Sequence, residues 1–248
     1  MAPPGRPTPQ SDPGERPRFR DSRTGVGRTV NPYVALHRGG GVAMPADEAW
    51  TWRDRWSERF GREAPLVLEI GPGNGWFLVE LARRSPDADH VAVEIRYKRV
   101  VQCATKVEAA GLTNAVVARY HAAYLDDLFA PGTLSTIWVN HPDPWPKERH
   151  EKNRLISRWF LADVVSLLRP GGTLRLKSDH APNVDRAVFL LDHDPEGAAA
   201  ERLPLTVTGR SDDVTRGPAP WPDDIETGYQ RKFRLKGEPV YAIELVRT

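Results

Sequence analysis

Three groups of residues in this chain have the types and spacing to do chemistry. The first is Glu69-Ile70-Gly71-Pro72-Gly73-Asn74-Gly75. Glycines at alternate positions let a backbone turn tightly and approach a ligand, here just after an apolar run closed by an acid. The dinucleotide pattern G-x-G-x-x-G is not met, because Trp76 stands at its last glycine, and no Lys-Ser/Thr follows to make a phosphate loop. The second is Glu94, a carboxylate that can accept both hydroxyls of a ribose. A merely tight turn and a solvated strand-end acid are the plain alternatives for these two. The third is Asn140-His141-Pro142-Asp143-Pro144-Trp145-Pro146-Lys147-Glu148-Arg149-His150. Its three prolines leave few alternative conformations. A stiff polar loop suits a reaction whose partners must be held in line, such as displacement at a carbon.

The surrounding pattern puts all three at one edge of a sheet. Short apolar runs predict strands over 66–70, 90–94, 115–119, 135–140 and 173–177, with helices over 75–84, 98–110 and 155–168 between them. Arg169-Pro170-Gly171-Gly172 is a strong helix stop. Such alternation predicts an α/β fold, a doubly wound and mostly parallel sheet built from right-handed crossovers. The last runs, 204–208 and 240–246, have no helix between them in this reading and predict an antiparallel pair at the edge. A helix over 46–60 is expected to bury Trp50, Trp56 and Phe60 as core.

Composition narrows the field. The chain has 248 residues with ordinary apolar and charged fractions, enough for one α/β domain and modest extensions. We divide it into a Pro-rich, locally basic, disordered tail over 1–30, an N-terminal extension and helix over 31–62, and the main domain over 63–248. A net charge of +2 demands no nucleic-acid partner, so any RNA surface must come from local clustering. Cys103 is the only cysteine, which excludes an internal disulfide and a thiolate metal cluster, and it reads as helix packing rather than a nucleophile. His141, His150, His180 and His193 have no recognisable ligand spacing, so no metal is expected. No apolar run can span a membrane and no secretory signal is evident, so a cytoplasmic location is expected.

The third group carries a family likeness. Pro142-Asp143-Pro144-Trp145-Pro146-Lys147, then Arg149-His150 and Arg154, closely resembles the signature of bacterial tRNA (guanine-N7)-methyltransferases. The resemblance extends from about residue 65 to the C-terminus through Leu68-Glu69-Ile70-Gly71, Val93-Glu94-Ile95, the Leu168–Gly172 turn, Ser178-Asp179 and Lys232-Phe233 with Gly237 beyond. It implies a Rossmann-like class I methyltransferase with a final antiparallel strand, S-adenosyl-L-methionine as cofactor, and N7 of a guanine in the tRNA variable region as target. It further implies a cofactor site formed by Glu69, Gly71, Gly73, Gly75, Glu94, Ile95, His121, Ala122 and Asn140. Asp143 would act at the target base, and Lys147, Arg149, Asp179, Arg231 and Arg234 would face the substrate.

The likeness breaks in two places. The family usually carries Asp-Ala near the adenine, where His121-Ala122 stands here, and Thr-Lys-Phe-Glu near the C-terminus, where we align Arg231-Lys232-Phe233-Arg234. Arginine cannot accept bonds from guanine N1–H and its amino group, but it can donate to O6, to phosphate or to an anionic small substrate. With Arg149, His150, Lys152, Arg154, Lys232 and Lys236, these arginines would line the rim of one pocket and contact phosphates. Three functions stay open: tRNA guanine-N7 methylation, N-methylation of a small nitrogen heteroaromatic, and RNA binding without catalysis. The retained Glu69, Glu94 and Asp143 argue against the last.

Overall fold

The computed structural model describes Phe19 and residues 32–36, 41–194 and 197–248. Apart from Phe19, the tail expected over 1–30 lies outside the described residues. Eight strands form one sheet in the order β1-β4-β3-β2-β5-β6-β8-β7: β1 Ala43–Met44, β2 Leu66–Ile70, β3 Asp89–Glu94, β4 Ala115–Arg119, β5 Leu134–Asn140, β6 Leu168–Ser178, β7 Leu205–Ser211 and β8 Tyr241–Arg247. The first six run parallel, β8 is antiparallel to β6, and β7 is antiparallel to β8. Successive strands step outward from β2 in one direction through β3 and β4, and in the other through β5 and β6. The order therefore reverses between β2 and β5, the point at which sheets of this kind open a ligand crevice at the carboxyl ends.

The central strand reads Leu66-Val67-Leu68-Glu69-Ile70 and is buried along its whole length, as a strand covered on both faces must be. Alternation sends Leu66, Leu68 and Ile70 into the larger core, while Val67 and Glu69 face the other side. Helices α4 (Trp76–Arg84) and α5 (Tyr97–Ala109) cover the Glu69 face, burying Leu78, Val79, Cys103 and Val107 with Ala92 and Val117 of the sheet. Helices α6 (Arg158–Leu167) and α7 (Ala181–Phe189) cover the other, through Phe160, Leu161, Val164 and Val184. No helix among the described residues is long and apolar enough to cross a membrane.

Four expectations need correction. The helix expected over 46–60 is broken into α2 (Ala46–Ala49), a tight turn over Trp50–Trp52 and α3 (Trp56–Phe60). Trp56 is held by its indole N–H on Leu128 O at 2.9 Å, while Trp50 is only half-buried. α6 starts at Arg158 rather than 155, because Ser157 caps it by accepting Phe160 N–H at 3.2 Å. The Arg169-Pro170-Gly171-Gly172 stop does end α6, but it lies inside β6 as an irregularity where the pairing register with β5 shifts. Finally, a helix, α8 (Gly228–Lys236), does lie between β7 and β8, whose antiparallel pairing at the sheet edge is as expected. α1 (Pro32–Leu36) precedes β1.

Candidate active site

Chain geometry at the end of β2 is set by glycines. Gly71, Gly73 and Gly75 have φ of 70°, 57° and 83°, the left-handed region that side chains disfavour. Gly71 N–H donates to Val93 O at 2.9 Å and Gly75 N–H to Pro72 O at 2.9 Å, closing the turn into α4. At Gly75 a Cβ would stand 2.7 Å from both Cα and Sγ of Cys103, so the helices α4 and α5 approach only because this residue has none. Lys106 Nζ donates to Asn74 O at 2.8 Å and fixes the loop from α5. α4 starts directly after this turn, with Gly75 as its cap residue and Trp76 N–H reaching Asn74 Oδ1 at 3.4 Å.

Beneath this loop sits an incomplete polar pair. Glu69 is only 2% exposed, its Oε2 has no hydrogen-bond partner, and both polar atoms of the Asn140 amide are likewise buried without one. Glu69 is the last residue but one of β2 and Asn140 the last of β5, the adjacent strands of the switch point. Burial pushes the Glu69 carboxyl up from 4.5 to about 8, with the nearby Asn140 amide pulling slightly the other way. Leaving such groups unmet costs about 1–3 kcal/mol each, so this is a place built for a ligand bringing a cationic donor and further polar atoms. The amino-acid part of S-adenosylmethionine fits that donor set. Cys103 is fully buried against α4, and burial raises its thiol pKa, which keeps it a packing group.

Glu94 ends β3, one strand over. It is half-buried, accepts Arg96 N–H at 2.8 Å, and burial raises its pKa. Ile95 is half-buried beside it. Beyond the end of β4, His121 is exposed and its Nδ1 accepts Ala123 N–H at 3.1 Å, so its neutral ring carries the proton on Nε2; the covering of its packed face lowers its pKa. Ala122 follows, half-buried.

The proline-stiffened loop leaves β5 at the same edge as the glycine loop leaves β2, so the two stand side by side across the crevice. His141 adopts φ 51°, uncommon for a non-glycine residue. Its N–H donates to Lys177 O at 2.8 Å, its Nδ1 lies 3.2 Å from Asp179 Oδ1, and its Nε2 lies 2.8 Å from Thr227 Oγ1. Since a carboxylate only accepts, Nδ1–H donates to Asp179 and the threonine hydroxyl donates to Nε2. The His141 bond holds the Asp179 carboxyl below its usual range. Farther along, Asn183 Nδ2 donates to Pro142 O at 3.2 Å and Arg154 Nε to Trp145 O at 3.1 Å, pinning the loop at both ends. Between those pins Asp143 is exposed. Lys147 and Arg149 are exposed on the same loop; the Lys152 side chain lies outside the described residues.

Arg231 and Arg234 are not at this crevice network. Arg231 is exposed, and Arg234 donates to Glu226 at 2.7 Å, a bond that raises its pKa. One turn earlier stand Thr227 and Gln230. Thr227 caps α8 by accepting Gln230 N–H at 2.9 Å while holding His141. Gln230 is buried; its Oε1 accepts from Lys177 Nζ at 2.8 Å and its Nε2 donates to Val214 O at 3.0 Å. Lys177 is fully buried too; Asp224 Oδ1 at 2.6 Å opposes the lowering of its pKa by burial. Thr227-Gly228-Tyr229-Gln230 has the Thr-x-aromatic-amide/acid spacing of the family's Thr-Lys-Phe-Glu, so an alignment beginning at Arg231 runs one turn late. The signal in the sequence was the T-x-x-Q of a capping box. Among the described residues no three His, Cys, Asp or Glu side chains cluster as a metal would need.

A doubly wound sheet with its order reversing over a glycine loop, flanked by strand-end acids, defines a class I methyltransferase fold. Solved structures agree at the level of fold: a 16S rRNA methyltransferase, KamB, superposes with TM-score 0.58 at 18% identity over 79% of this chain and 93% of that one. TrmN from Thermus thermophilus gives 0.52 at 19%, over 88% of this chain and 52% of the other. A family of putative methyltransferases matches residues 63–242. A tRNA (guanine-N(7)-)-methyltransferase of Geobacillus kaustophilus is 36% identical over 79% of this chain and 86% of its own, and one of Levilactobacillus brevis is 33% identical over 77% and 84%. The chain belongs to the tRNA (guanine-N7)-methyltransferase family.

Proposed function

We propose that this protein transfers the methyl group of S-adenosyl-L-methionine to N7 of a guanine in tRNA. The observation that carries the reading is the buried, unpartnered Glu69–Asn140 pair at the switch point, faced by the pinned Asp143 loop, in a chain of this family. The cofactor brings an electrophilic methyl group on a sulfonium. When it is bound, Glu69 would accept from its ammonium group, the backbone of Gly71–Gly75 would hold its carboxylate end, and Glu94 would accept its ribose hydroxyls. Positioning then supplies much of the rate, because nucleophile, carbon and sulfur must lie in line. Guanine N7 already bears a lone pair, so no proton need leave it and no strong base is required. Positive charge grows on the ring as the bond forms, and the Asp143 carboxylate stabilises it once the bound base covers this exposed side chain. Asp179, oriented by His141, accepts from the base's N1–H and amino group. Lys147 and Arg149 contact flanking phosphates.

Incubation with labelled cofactor and unmodified tRNA, followed by mapping of the methyl group, tests this. Absence of transfer to any guanine N7, with cofactor demonstrably bound, removes the reading. A small heteroaromatic acceptor is motivated by Arg231 and Arg234, and the exposure of the one and the pairing of the other with Glu226 lend it no support. Turnover of a free heterocycle without tRNA would restore it. A silent RNA-binding role is separated by calorimetry with S-adenosylmethionine, where saturable one-site binding speaks for an enzyme.

A further inference from the structure

Phe19 lies against the segment that follows β4, although 108 residues separate it in the chain from Asp127, which it touches. Its backbone N–H donates to Asp127 Oδ2 at 3.1 Å, the same buried oxygen that accepts the Tyr120 hydroxyl at 2.8 Å. Its ring centroid is 4.8 Å from Tyr120, 6.3 Å from Tyr124 and 6.5 Å from His121. The Arg119 guanidinium stacks 3.9 Å over Tyr97 and also lies 5.7 Å from the Phe19 ring. This is a specific seat, with a backbone bond to a buried carboxylate and an apolar ring packed against the main core.

The seat's place in the fold gives it meaning. Across the carboxyl edge, the glycine loop after β2 takes the amino-acid end of the donor and Glu94 after β3 takes the ribose. The strand order β2-β3-β4 then puts the adenine beyond Glu94, against the segment that follows β4, which is where His121, Tyr120 and Tyr124 meet Phe19. We propose that Phe19 is the outer wall of the adenine subsite, an aromatic face supplied by the N-terminal tail against which the base packs. Phe19 is then part of the cofactor site. His121, which stands where relatives carry Asp, leaves the base fewer carboxylate contacts, and an aromatic wall compensates through stacking, which tolerates any purine.

The inference rests on the cofactor reading above, and one titration separates the two. S-adenosylhomocysteine and 5′-methylthioadenosine, which lacks the amino-acid part, are titrated calorimetrically into the full-length wild type, Phe19→Ala and Phe19→Leu. Expected is a Kd raised about tenfold by Phe19→Ala for both ligands, equivalent to about 1.4 kcal/mol. Phe19→Leu should give a smaller rise, and the ligand-free melting temperature of each variant, read alongside, separates lost packing from lost binding. An equal loss for both ligands places the contact at the adenine end. Unchanged or tighter binding in the variants overturns the proposal, the latter because it would mean that the ring fills the base's space. Wild type that binds neither ligand defeats the cofactor reading instead. Should Phe19→Ala fail to fold, Phe19→Leu and Phe19→Tyr carry the comparison on the same terms.

Discussion

The imidazole Nε2 of His141 and the hydroxyl of Thr227 lie 2.8 Å apart, although 86 residues separate them in the chain. Through this bond the loop bearing Asp143 is tied to the N-terminus of α8, and through Nδ1 the same ring orients Asp179. The ring is 4% exposed, set 5.3 Å from Tyr229 and 6.4 Å from Phe233. Thr227 thus does two jobs with one hydroxyl, capping a helix and fixing the strained His141. Thr227→Val removes both. We expect a loss of about 1–2 kcal/mol of stability from the missing cap, and turnover on tRNA reduced beyond what the fraction folded explains. Thr227→Ser should keep both near wild type. Urea titrations with parallel single-turnover assays check this; a Val variant with unaltered turnover per folded molecule would show that the bridge is structural alone.

Asp143 stands apart from that network, exposed between two pinned ends of its loop. If its role is to stabilise charge that appears only as the methyl moves, Asp143→Ala should lower the methyl-transfer rate by about 10²–10³-fold. S-adenosylhomocysteine affinity should stay within about a factor of two. Equal losses in both measurements would assign the loop to the cofactor.

Glu69 makes the site pH-dependent with a definite sign. Its pKa is 4.5 ordinarily and about 8 when buried in the folded chain, so between those values the folded state keeps a proton that the unfolded state has lost. Ligand-free stability therefore falls as pH rises from 4.5 toward 8, by roughly 1.4 kcal/mol per unit from this group, and levels above it. An ammonium group docking on Glu69 favours the carboxylate, so cofactor binding at pH 7 should release a proton. Calorimetry in buffers of different ionisation enthalpy reads that release directly. Glu69→Gln should abolish it, weaken binding, and flatten the pH dependence of stability.

The sequence made five strands of the parallel sheet legible because each is an apolar run between Gly, Pro or charged residues; 66–70 and 115–119 coincide with the observed strands, while β1 is too short, at two residues, to show a pattern. α8 escaped because only Gln230 is buried on it, so it has no apolar stripe to show a helical period. Its two ends were written nonetheless, in Thr227 with Gln230 at the start and Gly237, φ 71°, after the end. α7 escaped for a related reason: Val184 and Ala187 are its buried apolar residues, too few to stand out. Within the site, the places of Glu69 and Glu94 near strand ends could be read from spacing, whereas Asp143 stands out only through the resemblance of its loop to the family signature. The unmet hydrogen bonds of Glu69 and Asn140, and the bond between His141 and Thr227, arise from strand adjacency and a long return of the chain, which no local pattern encodes.

Gly75 offers a test of the loop that needs no substrate. Its φ is 83°, and a methyl group added there would stand 2.7 Å from the backbone and from the sulfur of Cys103, so Gly75→Ala carries two separate penalties. We expect a loss of about 2–3 kcal/mol, from left-handed strain and overpacking together. Cys103→Ala in the same chain relieves the clash with sulfur but leaves the clash with the α5 backbone and the φ, so rescue should be partial. Thermal and urea unfolding of the single and double variants reads this. Full rescue would mean that the sulfur clash alone was the constraint.

Arg231 and Arg234 share a helix but not a circumstance. Arg231 is exposed and Arg234 is engaged by Glu226 at 2.7 Å. A phosphate contact made by an arginine releases counterions and contributes about 0.7–0.9 to the slope of log K against log salt. Arg231→Ala should therefore weaken tRNA binding and flatten that slope by about one contact. Arg234→Ala should do less, because a guanidinium already neutralised by a carboxylate has less to offer a phosphate, and Glu226→Gln should bring its contribution up toward that of Arg231. Filter-binding isotherms across a salt series on the three variants decide the matter, and an unchanged slope in Arg231→Ala would put the RNA on another face of the protein.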